Sequence, residues 1–358
     1  MYSTDKDNQR SSAYKMKVAR LYSFEDIRIE EMPIPDIGDG DALVRVKACG
    51  ICSGDVMPWY IEKKAPLVLG HEAVGEIVEL GKEVRGEDKK VGDRVFFHHH
   101  APCFICRYCK RGDYVQCSTW KKSKIIPGGI SEYVLIPEVN LKGDTLLLSE
   151  RMSFEQATLI EPLACVVKGL KRAKIREGDT VLVIGLGIMG QLHIVLAKKY
   201  GAKKIIGADR VNYRLEHAKE SGANEVIDVS GVELMDGVYR ATNGDMADIV
   251  VVGPGNIEAM SLGISCAGRG GSVLFFTPAR PGDVLQLRPD DIYFRDINII
   301  TSYSCGPDDT KEALNLILEG IVDTKRFITH KFTLEKTQDA FRLTAKAKDS
   351  LKVIITFN

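Results

Sequence analysis

Four cysteines, Cys103, Cys106, Cys109 and Cys117, stand at the spacing C-x2-C-x2-C-x7-C. Four thiolates on one short loop make a closed tetrahedral sulfur cage, the donor set of a structural zinc, and leave no open position for a substrate. An iron–sulfur cluster, or a set of free surface thiols, would use the same residues. Upstream lie Cys52 and His71. Taken alone they read equally as an inert buried thiol with a satisfied imidazole or as part of a metal site. Their company points to metal: Asp55 is placed to orient the His71 ring from behind, and Glu72 adjoins it. His98, His99 and His100 make a poor tetrahedral set, because adjacent residues of a strand point to opposite faces. They read as bland, with one of them near a cleft.

A second chemistry is written in Gly185-Leu186-Gly187-Ile188-Met189-Gly190. It follows an apolar run, 180–184, that reads as a buried parallel strand, and it opens a stretch with helical apolar spacing through Leu192, Val195 and Leu196. Glycines at such a turn permit a tight bend, close backbone approach to a pyrophosphate, and close helix–sheet packing. The helix start then offers unpaired N–H groups to the phosphates. Asp209 stands nineteen residues after Gly190, at the end of a second apolar strand, where a carboxylate would accept the adenosine ribose hydroxyls. A carboxylate there repels a 2′-phosphate, so NAD is expected over NADP. Arg210, which could stack on adenine or meet a phosphate, and Arg214 complete the expected cofactor contacts with Gly185, Gly187, Ile188, Met189 and Gly190. A tight glycine turn that binds nothing is the bland alternative.

The elements that must hold these residues divide the chain. Up to about 155 the sequence runs in short alternating strands broken by Gly and Pro, which suggests a partly open β-barrel. Ser153 with Gln156 forms a capping box that starts a helix, and Glu161 with Pro162 falls at the next helix start. Strands over 180–184, 204–208, 225–228, 248–252, 272–276 and 297–301, with helices between, make a six-strand doubly wound unit. Helical patterns at 308–319 and 332–344 and a strand at 351–357 close the chain, the last returning to the first unit. The 358 residues suffice for two domains, and Lys plus Arg equals Asp plus Glu at 49 each, so no net field argues for nucleic acid or an anionic membrane. No apolar run reaches the ~18 residues of a membrane span. Residues 1–10 are polar and are expected to fray, with no signal-peptide character, so a cytosolic location with reduced thiols is expected.

Together the Cys49-Gly50-Ile51-Cys52 run, Gly70-His71-Glu72, the four-cysteine lobe, Glu161-Pro162-Leu163 and the glycine turn resemble the zinc-dependent medium-chain dehydrogenase/reductase superfamily, from about Met16 onward. The resemblance implies a GroES-like catalytic domain (1–155 with 303–358) carrying an inserted Rossmann coenzyme domain (156–302). It implies one catalytic zinc on Cys52 and His71, with Glu161 where a second cysteine often stands and Glu72 as a further candidate ligand, and one structural zinc in the lobe. Glu161-Pro162-Leu163 is similar to the sorbitol and polyol dehydrogenase branch, so hydride exchange between NAD and a polyol or its ketone is implied. Trp59 and Tyr60 resemble the aromatic pair of polyol pockets, or simply pack. In one respect the chain departs from the family. Two residues past the zinc cysteine, where a Ser or Thr usually relays the alcohol proton, stands Gly54. Either Ser53 replaces that hydroxyl through a shifted backbone, or Ser53 is an ordinary turn residue and the proton leaves by another route, such as a zinc-bound water or Glu161. Other readings are an amino-alcohol dehydrogenase of the threonine type and a catalytically idle NAD-binding zinc protein. A dimer or tetramer with a small-molecule alcohol or ketone substrate, and no nucleic-acid or membrane partner, is the implied setting.

Overall fold

In strand β1 (Lys15–Ser23) Met16 and Val18 are buried and Lys15 and Lys17 exposed, the period-2 pattern of a sheet with one wet face, and the phase shifts by one at Ala19, after which Ala19 and Leu21 are buried and Tyr22 exposed. It forms an antiparallel hairpin with β2 (Asp26–Pro33), which stops at the proline expected to break it. The computed structural model describes residues 14–84 and 89–357, so the polar segment 1–10 lies outside the described residues. β3 (Ala42–Gly50), the two-residue β4 (Leu67–Val68), β5 (Glu72–Leu80), β6 (Arg94–Phe97), β7 (Tyr133–Ile136) and β8 (Thr145–Leu147) follow. β4 adds to β1, and the others join a curved, mainly antiparallel sheet around one apolar core.

Next comes the parallel unit. β9 (Thr180–Ile184), β10 (Lys204–Asp209), β11 (Glu225–Asp228), β12 (Ala247–Val252), β13 (Ala267–Phe275) and β14 (Asn298–Thr301) lie in the order β11-β10-β9-β12-β13-β14, all parallel. The order reverses between β9 and β12, and that edge is where a doubly wound sheet opens a crevice for ligand. Val181, Leu182 and Val183 are fully buried, as a central strand covered on both faces requires. The capping box forms as expected: the Gln156 N–H donates to Ser153 Oγ, and Gln156 accepts from the Ser153 N–H.

The chain then returns. β16 (Lys352–Thr356) pairs antiparallel with β3, Ile354 opposite Gly50, and so carries the C-terminal part back into the first sheet. One expectation fails here. The helical pattern expected over 332–344 begins late: Phe332 and Thr333 end β15 (Ile328–Thr333), a strand parallel to β16 that was not anticipated, and the helix begins only at Thr337. Ile328, Thr329 and Thr333 are β-branched, and the waiting edge of β16 decides between two short patterns that periodicity leaves open. β13 also starts five residues earlier than its apolar run, through glycines that weaken the strand signal.

Inside the parallel unit His193 sits on the Ile188–Lys199 helix, fully buried, with Nδ1 bonded to the Met189 carbonyl at 2.7 Å and its ring edge-on to Phe276. Burial pushes its pKa down from 6.5 to about 4, with the Met189 bond opposing only partly. Between those values the unfolded chain binds a proton that the native state refuses, so stability falls as pH drops from 6.5 towards 4 and is level below that. At about 1.4 kcal/mol per pKa unit this amounts to roughly 3 kcal/mol at most. We expect the urea-unfolding free energy of His193→Gln to fall less between pH 7 and pH 4.5 than that of the wild type. Equal slopes would overturn the assignment.

Candidate functional site

The four-cysteine lobe is wound by two short turns, Cys109–Arg111 and Tyr114–Gln116, joined by Gly112 in the left-handed conformation at φ 77°. The sulfurs converge: Cys106 to Cys109 is 3.5 Å, Cys103 to Cys117 3.6 Å and Cys103 to Cys109 4.0 Å. All nine cysteines of the chain are free thiols. Burial and neighbouring thiols push Cys109 up to about 12, whereas backbone N–H groups of Cys103 and Trp120 overcome the burial of Cys117 and bring it down to about 6. A convergent sulfur set already favouring one thiolate fits a tetrahedral borderline metal.

The second group forms where β3 ends. Cys52 follows the strand and caps the turn Ser53–Val56, its sulfur accepting the Gly54 N–H at 3.3 Å. That turn delivers Asp55, whose carboxylate lies 3.4 Å from His71 Nδ1. Glu72 is the first residue of β5, opposite Gly50. The ligand atoms of Cys52, His71 and Glu72 all lie within 4.8 Å of one another. Thiolate, imidazole and carboxylate with the ring held from behind by a carboxylate make a three-ligand zinc set, as in catalytic sites that keep a fourth position open. Burial works against the His71 imidazolium, but Asp55 and Cys52 carry it well above its usual value; burial raises the Glu72 carboxyl, with Lys352 opposing.

Lys352 was not anticipated. It is 1% exposed, ion-paired with Glu72, and donates to the Ile51 carbonyl at 3.0 Å. A Cβ at Gly50 would come within 2.0 Å of the Glu72 carboxylate and 2.7 Å of Lys352, so only glycine leaves room for the pair. No motif marks a single lysine in a C-terminal strand; the one signal was a charge inside the apolar pattern Leu351–Phe357.

Glu161 falls elsewhere. Its carboxylate groups with His98 and Cys305 rather than with Cys52 and His71, although it still acts on His71 and Glu72 through space. The reason is local: Glu161 lies in the first turn of the Ile160–Ala173 helix, and its side chain runs along the helix to Cys165, one turn on, with the Cys165 thiol 3.5 Å from Oε1. His98, expected to be bland, is fully buried and bonded through Nδ1 to Asp144 at 2.9 Å. His99 and His100 face a cleft instead.

That cleft is a cavity of about 770 Å³. Cys52, Ser53, Gly54, His71, Tyr60 and Glu161 line one end, and Met189, Phe276 and Thr277 from the carboxyl edge of the parallel sheet line the other. Trp59 is not among the lining residues; it stacks edge-on against Tyr60. At the far end the glycine turn has the form expected of a phosphate cradle. Gly185 sits at φ 86°, and a Cβ on Gly190 would lie 2.1 Å from the Gly185 carbonyl oxygen. Gly187 is different: its missing Cβ would meet nothing closer than the Arg214 guanidinium at 3.7 Å, so open space stands over the turn. Asp209 accepts the N–H groups of Leu186 and Arg210 at 2.7 Å and Val211 at 2.9 Å, with Arg214 at 3.6 Å, and keeps lone pairs for a ribose hydroxyl. The Arg210 side chain is exposed beside it.

A sheet that binds dinucleotides at its reversal point, opening through one cleft onto a Cys–His–Glu metal set, defines a metal-dependent dehydrogenase. Residues 38–143 match the family of the alcohol dehydrogenase GroES-like domain, and residues 189–319 match the zinc-binding dehydrogenase family. Sorbitol dehydrogenase of Bacillus subtilis (strain 168) is 31% identical over 95% of this chain and 97% of its own. A zinc-binding dehydrogenase from Sinorhizobium meliloti 1021, solved bound to NADP, superposes with a TM-score of 0.85 at 28% identity over 96% of this chain and 100% of that one. An alcohol dehydrogenase of Escherichia coli CFT073, solved with NADH, gives 0.85 at 26% over 96% and 99%. The chain belongs to the zinc-dependent medium-chain dehydrogenase/reductase family, in its polyol dehydrogenase-like branch. It is an oxidoreductase with zinc and a nicotinamide cofactor. Among the described residues no helix is long and apolar enough to cross a membrane.

The two glycines make separable predictions. Gly187→Ala should fold with unchanged thermal stability but bind NADH at least about tenfold more weakly, because the methyl occupies space the pyrophosphate needs. Gly190→Ala should lower the melting temperature as well, because its methyl meets backbone. Fluorescence titration of NADH and a thermal melt read both, and unimpaired binding by Gly187→Ala would overturn the cradle.

Proposed function

We propose that the chain is an NAD-dependent dehydrogenase of polyols or sugar alcohols, with one zinc in the cleft on Cys52, His71 and Glu72 and a second, structural zinc in the cysteine lobe. The observation that carries this is the convergence of three unlike donor atoms at the cleft end facing the glycine turn. Residues 14–155 with 303–357 act as the catalytic unit and 156–302 as the coenzyme unit. Bound there, zinc supplies Lewis acidity towards a hydroxyl oxygen and the nicotinamide accepts hydride. The chain supplies the rest. Asp55 fixes the His71 ring and Lys352 fixes Glu72, so the donor set is preorganised. The cavity walls exclude water from the hydride path.

Polar groups set the substrate class. Ser53, Tyr60, Lys64, His100 and Ser302 line the cavity beside its apolar walls, and a neighbouring hydroxyl on the substrate would pair with them. A simple alcohol leaves them unpaired, a loss that discriminates strongly when the groups are buried. Because the Gly54 N–H is taken by the Cys52 sulfur, the one side-chain hydroxyl of this turn is Ser53, which we assign to the proton route. Asp209 disfavours a 2′-phosphate, although Arg210 and Arg214 flank it.

Initial rates of NADH formation with polyols, simple alcohols and threonine, before and after zinc chelation, test the reading. A chelator-sensitive preference for polyols is expected; a preference for threonine or for simple alcohols overturns the substrate class, and no turnover with NADH still bound favours an idle binding protein. Cys52→Ala and Glu72→Gln should each lose at least about a hundredfold in kcat with NADH affinity kept. Asp209→Ala should shift the NAD-to-NADP ratio of kcat/KM by at least about tenfold towards NADP, and an unchanged ratio would remove Asp209 from cofactor selection.

A further inference from the structure

Behind the cleft wall lies a cluster that the dehydrogenase reaction leaves unused. His98 Nε2, a Glu161 carboxylate oxygen and Cys305 Sγ lie within 4.8 Å of one another, and all three residues are buried. Cys165 Sγ joins them, 3.5 Å from Glu161 Oε1 and hydrogen-bonded to the Cys305 thiol. We propose that His98, Glu161, Cys165 and Cys305 form a metal site distinct from both the cysteine lobe and the Cys52 group, suited to zinc or another borderline-to-soft divalent ion.

Three observations carry the proposal. The first is spacing. Zinc bonds of about 2.0–2.3 Å in a tetrahedron put neighbouring ligand atoms about 3.3–3.8 Å apart. In this cluster His98 Nε2 lies 3.8 Å from Cys305 Sγ, and Cys165 Sγ lies 3.5 Å from Glu161 Oε1. The cysteine lobe, whose donor set speaks for itself, spans 3.5 to 4.0 Å.

The second is the orientation of His98. Its Nδ1 is held by Asp144 at 2.9 Å, and the other Asp144 oxygen accepts the Thr310 hydroxyl at 2.5 Å. A carboxylate only accepts, so Nδ1 carries a proton, and Nε2 is the ring atom turned towards Cys305, 3.8 Å away. A carboxylate behind an imidazole is the outer-shell partner that ligating histidines carry. The Asn140 amide secures the strand below by donating to the His98 carbonyl at 3.1 Å.

The third is access. Cys165 and Glu161 also line the cleft, so an ion can reach the cluster from the cavity, while His98 and Cys305 close it from behind. An ion here would join His98 after β6, Cys165 on the Ile160–Ala173 helix, and Cys305 between β14 and the Pro307–Leu318 helix. It would therefore fasten the two sheets at the floor of the cleft, and would draw the Glu161 carboxylate away from the substrate cavity. Binding deprotonates both thiols and releases those protons to solvent.

The test is metal stoichiometry in the full chain. Wild type, Cys305→Ser, His98→Gln and Cys52→Ser are incubated with excess zinc, desalted and measured for zinc per chain, with circular dichroism and NADH binding reporting the fold. Wild type should hold one zinc more than Cys305→Ser and one more than His98→Gln. Loading Cys52→Ser with cadmium should give sulfur-to-metal absorption that shrinks on adding Cys165→Ser, which separates this site from the cleft metal. An unchanged zinc count in either folded cluster variant, or cadmium absorption indifferent to Cys165, overturns the site and leaves a buried hydrogen-bond network. Should Cys305→Ser not fold, His98→Gln and Cys165→Ser decide on the same criteria.

Discussion

A buried ion pair, Lys352 with Glu72, joins the last strand of the chain to the site at its centre. Both side chains are almost fully buried, and two charges taken from water are tolerated only when geometry and extra hydrogen bonds compensate. Here the Ile51 carbonyl accepts from Lys352, and Gly50 contributes no side chain to the space the pair fills. Removing one partner of such a pair typically costs about 3–5 kcal/mol because the other is left charged and alone. The C-terminal strand thus supports the Cys52, His71 and Glu72 group, although none of its residues lines the cleft. Its register on β3, Ile354 opposite Gly50, sets where Lys352 arrives, and a slip by one residue would turn the lysine to the other face.

The parallel sheet imposes a second constraint, on the other wall. Gly185 follows β9 and Gly253 follows β12, the two strands that flank the reversal, and the Gly253 N–H donates to the Ile184 carbonyl at 2.9 Å. The Gly185 and Gly190 backbones touch, so the Ile188–Lys199 helix starts hard against the sheet and aims its N–H groups at the crevice. Met189 from that helix and Thr277 from beyond β13 then reach the same cavity as Cys52. The cavity thus forms where the carboxyl edge of the parallel sheet meets the end of β3 and the turn that follows it.

Much of this was legible in the sequence, for identifiable reasons. The cysteine lobe, the glycine turn and Asp209 are local: spacing alone brings their atoms together. The six strands of the parallel unit are apolar runs bounded by turns, and each occurs where its run does. Cys52 and His71 needed the fold, because eighteen residues lie between them. Placement of Glu161 was beyond the sequence for a physical reason. A carboxylate in the first turn of a helix can face the crevice or lie along the helix, and the choice was made by Cys165 on the same face and by Cys305 from another element. Lys352, Asp144 and Cys305 carry no motif; only the tertiary fold gives them partners. β15 was missed, and the helical pattern at 332–344 started too early, because a six-residue apolar–polar stretch fits either period until a neighbouring strand exists.

The position of Glu161 bears on how the family chemistry is arranged in this chain. In the proposed zinc set Glu72, held by Lys352, would be the oxygen donor beside Cys52 and His71, and three ligands would be complete without Glu161. Its carboxylate lies at the cleft wall beside Cys165, grouped with His98 and Cys305. A carboxylate held between two donor sets couples them: whatever fixes it on one side withdraws a negative charge from the other, where it acts on His71 and Glu72 through space. The cluster is then electrostatically coupled to the cleft even though His98 and Cys305 do not line it. Packing supports the same conclusion, because His98 is held by Asp144 and Thr310 from two different segments and cannot swing away.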